Sequence, residues 1–120
     1  MVIKKILIAE DEILVGRVLK IVLEQKNFEV IHVVDEESAI AVASDFKPDL
    51  LIMDVFLKNK TSGLNAGRQI RKNGIFSPIL FTTGNSYDQT KKEILNIENS
   101  HLFIKPVDID QLLKYIETTF

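Results

Sequence analysis

Apolar residues in this 120-residue chain fall into two kinds of run. The first kind is short and nearly continuous: "KKILIA", "FEVIHVV", "DLLIMDV", "PILFTTG" and "HLFIK". Runs of that length, rich in β-branched residues, are what strands buried on both faces require. The second kind recurs every three or four positions, as on one face of a helix. It comprises Val15, Val18, Leu19 and Val22; Ala39, Val42, Ala43 and Phe46; and Ile109, Leu112, Leu113 and Ile116. A helix over about residues 63–73 is the least patterned, with two glycines and little stripe beyond Leu64 and Ile70. Gly16 weakens the first helix by about 1 kcal/mol relative to alanine.

The punctuation agrees with this division. Asp35 is placed to cap the second helix and Pro48 to end it. Ser86 with Gln89, and Asp108 with Gln111, have the spacing of capping boxes. Residues 56–62 read as a polar loop. Strand and helix therefore alternate five times, which favours a parallel sheet covered by helices on both faces. In such sheets ligands gather beyond the carboxyl ends of the strands, where the strand order reverses.

Composition narrows the classes. Hydrophobic residues make up 46% and charged residues 27%, and the net charge of −2 supplies no positive field to gather nucleic acid. No cysteine is present, which excludes disulfides and thiolate metal sites. No apolar stretch reaches the roughly 20 residues of a membrane helix. The expectation is one cytoplasmic domain over residues 1–120, with no membrane association and no direct nucleic-acid binding.

The strand ends carry the chemistry. Glu10 and Asp11 follow the first strand, Asp54 the third, Thr83 and Gly84 the fourth, Lys105 and Pro106 the fifth. If the first and third strands are neighbours, three carboxylates converge and repel, raising one another's pKa. A hard divalent cation resolves that conflict, and Mg²⁺ takes one or two carboxylates together with waters and phosphate oxygens. Asp54 is then a candidate nucleophile, with Lys105 and the cation offsetting charge on a transferring phosphoryl group and Thr83 donating a hydrogen bond.

The motifs "IAEDE", "MDV", "FTTG" and "IKP", in this order and spacing, resemble the receiver domain of two-component response regulators. The resemblance covers essentially the whole chain. It implies a flavodoxin-like, doubly wound (βα)5 sandwich whose five-stranded parallel sheet has the order 2-1-3-4-5, as in the chemotaxis regulators. It implies that Asp54 accepts phosphate from a phosphohistidine on a sensor histidine kinase or phosphotransfer protein. Glu10, Asp11, Asp54 and the backbone carbonyl of Phe56 would hold Mg²⁺. Thr83 and Gly84 would meet the phosphoryl group, Lys105 would pair with it, and the Lys105–Pro106 peptide would be cis. The face of helix four, strand five and helix five would then change its preference for a downstream output domain or protein. The chain would catalyse nothing but its own phosphorylation and dephosphorylation.

Two departures stand out. The aromatic switch position of the family, three residues before the lysine, holds Leu102, and strand alternation turns Phe103 to the other face. His101 reads as an exposed edge residue. The loop after Asp54 is one residue longer than is common, and Lys58 stands where many receivers have proline. An aspartate-nucleophile phosphohydrolase would need a second acid at Phe56, and a flavin domain would not lead its first strand into "AEDE". A degenerate receiver that binds partners without being phosphorylated is the remaining alternative.

Overall fold

The computed structural model describes residues 2–84 and 88–120. Five strands are present: β1 (Lys5–Ala9), β2 (Glu29–Val33), β3 (Leu50–Asp54), β4 (Ile79–Thr83) and β5 (Ser100–Ile104). The helices are α1 (Ile13–Gln25), α2 (Glu36–Phe46), α3 (Gly63–Lys72), α4 (Asp88–Leu95) and α5 (Ile109–Thr119). All strand pairs are parallel, in the order β2-β1-β3-β4-β5. The fold is the flavodoxin-like doubly wound sandwich. Among the described residues, no helix is long and apolar enough to cross a membrane.

Alternation along each strand sorts the core into two layers. Leu7, Ala9, Leu51, Met53 and Phe81 pack with Ala39, Ala43, Leu64, Ile70 and Ile94, under α2, α3 and α4. Ile6, Ile8, Leu50, Ile52 and Leu80 pack with Leu19, Leu23, Leu112 and Ile116, under α1 and α5. Each fully buried Leu or Ile contributes roughly 1.5–3 kcal/mol relative to exposure. That is why the central strands are apolar on both faces. The Asp35 carboxylate accepts from the Ser38 N–H at 2.8 Å, and Asp108 accepts from the Gln111 N–H at 3.2 Å. Both caps are the ones the sequence predicts; the Ser86 cap lies outside the described residues.

Helix α1 corrects the sequence reading. Its buried positions are Gly16, Leu19 and Leu23, while Val15 and Val18 are exposed and Val22 is half-buried. Ile13, Leu14 and Ile21 are exposed as well, so the helix is apolar on more than one face and periodicity alone cannot choose between them. His101 is also not an exposed edge residue. It is half-buried against α5, where the Tyr115 hydroxyl lies 2.7 Å from its Nδ1, and burial pushes its pKa below 6.5.

The two glycines of α3 are places of close approach. A β-carbon on Gly67 would lie 2.8 Å from Phe81 Cζ. One on Gly63 would lie 2.0 Å from the carbonyl oxygen of Asp54 and 2.9 Å from Met53 Cγ. The Gly63 contact is with backbone, which cannot swing aside. We expect Gly63→Ala to cost about 2–3 kcal/mol of stability in urea denaturation, as overpacking of a core does. An unchanged midpoint would show that the end of β3 yields freely.

Candidate functional site

The site follows from the register. Ala9 of β1 pairs with Met53 of β3, so the next residues along the two strands are Glu10 and Asp54. Asp54 is also paired with Thr82 of β4. Thr83 pairs with Ile104 of β5, so the next residue, Lys105, enters from the far side. Its N–H donates to the Thr83 carbonyl at 2.9 Å. One edge of the sheet therefore gathers residues that are far apart in sequence, at the place where the chain passes from one side of β1 to the other.

Glu10 and Asp54 are 5% and 6% exposed. Charges that enclosed need partners. Lys105 Nζ supplies one, 2.9 Å from Glu10 Oε1 and 2.6 Å from Asp54 Oδ2. Burial alone would pull its pKa down, but the hydrogen bonds and charges of Asp54 and Glu10 prevail and push it up to about 12. The second Glu10 oxygen accepts from the Glu12 N–H at 3.2 Å, and Asp54 Oδ1 accepts from the Phe56 N–H at 3.2 Å. Glu10, Asp11 and Asp54 each present a carboxylate oxygen within 4.8 Å of the others. Burial raises the Asp11 pKa above 3.8, and the hydrogen bond and negative charge of Glu10 raise it further. Three acids against one lysine leave negative charge uncompensated, and an all-oxygen donor set of this kind suits a hard divalent cation.

Thr83 is buried and Gly84 is exposed at the end of β4, where a β-carbon on Gly84 would meet nothing within 4 Å. The Lys105–Pro106 peptide is cis, as expected. Leu102 packs into the layer beneath α2, α3 and α4, whereas Phe103 lies in the opposite layer, edge-on to Tyr115. The loop after Asp54 makes a short 3-10 turn at Lys58–Lys60, and Phe56 bridges to Ser62 across it. Phe56 is 62% exposed beside the acids.

The sequence profile described as "Response regulator receiver domain" matches residues 6–117. The chain belongs to that family. The receiver is 35% identical over 112 residues to the response regulator ArlR of Staphylococcus saprophyticus, covering 93% of this chain and 50% of that one. It is 35% identical over 95 residues to the alkaline phosphatase synthesis transcriptional regulatory protein PhoP of Bacillus subtilis, covering 79% of this chain and 38% of that one. The receiver thus spans about half or less of the length of these relatives. Among solved structures, a two-component response regulator from Clostridium difficile superposes with a TM-score of 0.88 at 27% identity, covering 96% of this chain and 93% of that one. The chemotaxis response regulator CheY4 of Vibrio cholerae gives 0.88 at 24% identity, covering 99% and 100%, and shares the fold.

Sequence reasoning singled out Glu10, Asp11, Asp54, Thr83 and Lys105 because each ends or follows a strand, and the structure brings Glu10, Asp11, Asp54 and Lys105 together. Sequence reasoning missed Gly63, whose bare α-carbon lets α3 approach Asp54, and it gave no role to His32, whose Nε2 lies 2.8 Å from the Glu10 carbonyl. A glycine at the first turn of a helix is a signal for the former.

Proposed function

We propose that the receiver accepts phosphate on Asp54 from a phosphohistidine of a sensor histidine kinase or phosphotransfer protein, in a Mg²⁺-dependent step. The observation that carries this reading is the convergence of Asp54 with Glu10, Asp11 and Lys105 on one edge of the sheet. An Asp54 oxygen attacks phosphorus, the new O–P bond forms as the N–P bond breaks, and the imidazole leaves with the electron pair. Glu10, Asp11, Asp54 and the Phe56 carbonyl would hold Mg²⁺, which when bound offsets charge on the transferring phosphoryl oxygens. Lys105, already oriented by two carboxylates, exchanges one of them for a phosphoryl oxygen. Thr83 and Gly84 meet the phosphoryl group from the end of β4.

The phosphorylated state then favours one of two arrangements of the α4-β5-α5 face, and with it an output domain or protein. Leu95 and Ile104 on that face are exposed apolar residues of the kind that mark contact surfaces. With Leu102 at the family's aromatic position, the coupling from Thr83 runs through an aliphatic side chain. On the other side of the site, Leu14, Val15 and Val18 line an apolar groove of about 670 Å³ with Lys105, Val107 and Ile109. Because Glu10 and Lys105 also line it, in this reading the phosphate donor docks over the groove, whose apolar rim suits a protein rather than a small phosphate ester.

Incubation with acetyl phosphate and Mg²⁺ tests the reading: the mass should rise by one phosphoryl group, and EDTA should prevent it. A chain that stays unlabelled under both conditions would instead be a phosphorylation-independent binding module. Two further outcomes are expected. Phe56→Ala should shorten the lifetime of the phosphorylated state roughly threefold, followed by mass spectrometry, because an exposed ring beside Asp54 hinders water; an equal or longer lifetime counts against that role. Mg²⁺ affinity should fall as pH drops through the raised pKa of Asp11, because the cation needs the carboxylate and competes with the proton. Calorimetry in buffers of different ionisation enthalpy reads this as proton release, and its absence throughout the acid range would remove Asp11 from the ligand set.

A further inference from the structure

Gly16 sits inside α1, where glycine is unfavourable and where a β-carbon would normally cost nothing. The reason lies across the gap to the sheet. A β-carbon on Gly16 would fall 2.1 Å from both Cε1 and Nε2 of His32 and 2.7 Å from Cδ2. The imidazole occupies the space that a side chain on Gly16 would fill. His32 pairs with Ile8 in the β1–β2 register, so it shares the layer beneath α1. Its Nε2 lies 2.8 Å from the carbonyl oxygen of Glu10. A carbonyl oxygen only accepts, so Nε2 carries the proton and donates.

Glu10 stands one residue past the end of β1, where the β1–β2 pairing is running out. Two bonds from β2 take over: the Glu10 N–H donates to the Val33 carbonyl at 3.0 Å, and the Glu10 carbonyl accepts from His32. With both sides of the residue tied, its carboxylate reaches Lys105 at 2.9 Å and stands within 4.8 Å of the Asp11 and Asp54 ligand oxygens. We propose that His32 is a positioning residue for the Glu10 carboxylate, and that Gly16 is glycine to admit its ring. The proposal rests on the reading of Glu10 as a Mg²⁺ ligand. Hydrogen bonds made directly to ligating groups typically alter metal affinity by about 10- to 100-fold, and the bond of His32, which acts through the Glu10 backbone, belongs at the lower end.

Calorimetric titration of the whole chain with Mg²⁺ tests it, with folding monitored by circular dichroism. His32→Leu, which fills the space without a donor, should bind Mg²⁺ about tenfold more weakly, and His32→Gln, which keeps an N–H donor, should recover most of the loss. Gly16→Ala should weaken binding by displacing the ring, and should add nothing in a His32→Ala background. A folded His32→Leu that binds within about twofold of the unchanged chain overturns the proposal. Should His32→Leu not fold, the Gly16→Ala comparison decides: an equal effect with and without the histidine overturns it. An unchanged chain that fails to bind Mg²⁺ defeats the functional reading as well, whereas binding unaffected by any of these variants defeats the positioning role alone.

Discussion

Asp54→Asn is expected to reduce phosphate incorporation from acetyl phosphate at least roughly 100-fold, to the background of the assay. The change is nearly isosteric. Its amide oxygen can still accept from the Phe56 N–H, which now meets Asp54 Oδ1 at 3.2 Å, and the end of β3 keeps its ladder with β4. What disappears is the negative oxygen able to attack phosphorus, together with one of the two anions that orient Lys105. A fold defect would therefore not explain the loss, and a circular dichroism spectrum with an unchanged melting transition verifies this. The neighbouring acids make the experiment demanding. Asp11 presents an oxygen within 4.8 Å of Asp54 and could serve as a misplaced acceptor. Any residual label should consequently be located by peptide mapping. Undiminished label would overturn Asp54 as the acceptor, and label relocated wholly to Asp11 with equal yield would show that the site does not discriminate between its carboxylates.

The fold was legible because its strongest signals are local. Leu50, Leu51, Ile52 and Met53 are buried on both faces, so the run "LLIM" reads as a central strand without any knowledge of its neighbours. Asp35 and Asp108 cap their helices through bonds that span only three residues. The five candidate residues stood out for a related reason: chemistry in a parallel sheet collects at strand ends, and strand ends are where apolar runs stop. The strand order itself came from the family resemblance, because no local pattern says that β1 lies between β2 and β3.

What escaped the sequence depends on long-range contact. The buried face of α1 carries Leu19 and Leu23 together with Gly16, which lies against His32 of β2, while the equally apolar Ile13, Leu14, Val15, Val18 and Ile21 remain exposed, so the helix's own pattern does not single out the face. Helix α3 read weakly because its glycines, penalised by propensity, are required by the proximity of Asp54 and Phe81. His101 read as an edge residue because its partner, Tyr115, is on a different element. Local propensity failed at Gly16, Gly63 and Gly67, where two elements come closer than a side chain permits, and Gly63 lies against the backbone of Asp54.

Lys105→Met is expected to destabilise the metal-free protein and to make its stability depend on Mg²⁺. In EDTA the ammonium is 2.9 Å from Glu10 and 2.6 Å from Asp54, and both acids are buried. Methionine preserves the packing of the stem and deletes the charge. Removing one partner of a fully enclosed ion pair costs about 3–5 kcal/mol. The Lys105 side chain keeps 23% of its exposure, so water screens the site and about 2 kcal/mol is the expected loss at mildly alkaline pH. The pH dependence at the alkaline end differs between the two proteins. In the parent chain the folded lysine is raised from 10.5 to about 12, so its contribution is complete below 10.5 and is lost only as pH rises through about 12. In the variant that alkaline loss is absent, because the ammonium that titrates there is gone. Saturating Mg²⁺ should restore most of the loss at mildly alkaline pH, since a ligand that binds only the folded state stabilises it by mass action. Urea denaturation in EDTA and in Mg²⁺ at mildly alkaline pH measures the loss and its recovery. A variant as stable as the parent in EDTA would mean that Glu10 and Asp54 tolerate each other without the lysine, and the electrostatic case for a cation between them would fall with it.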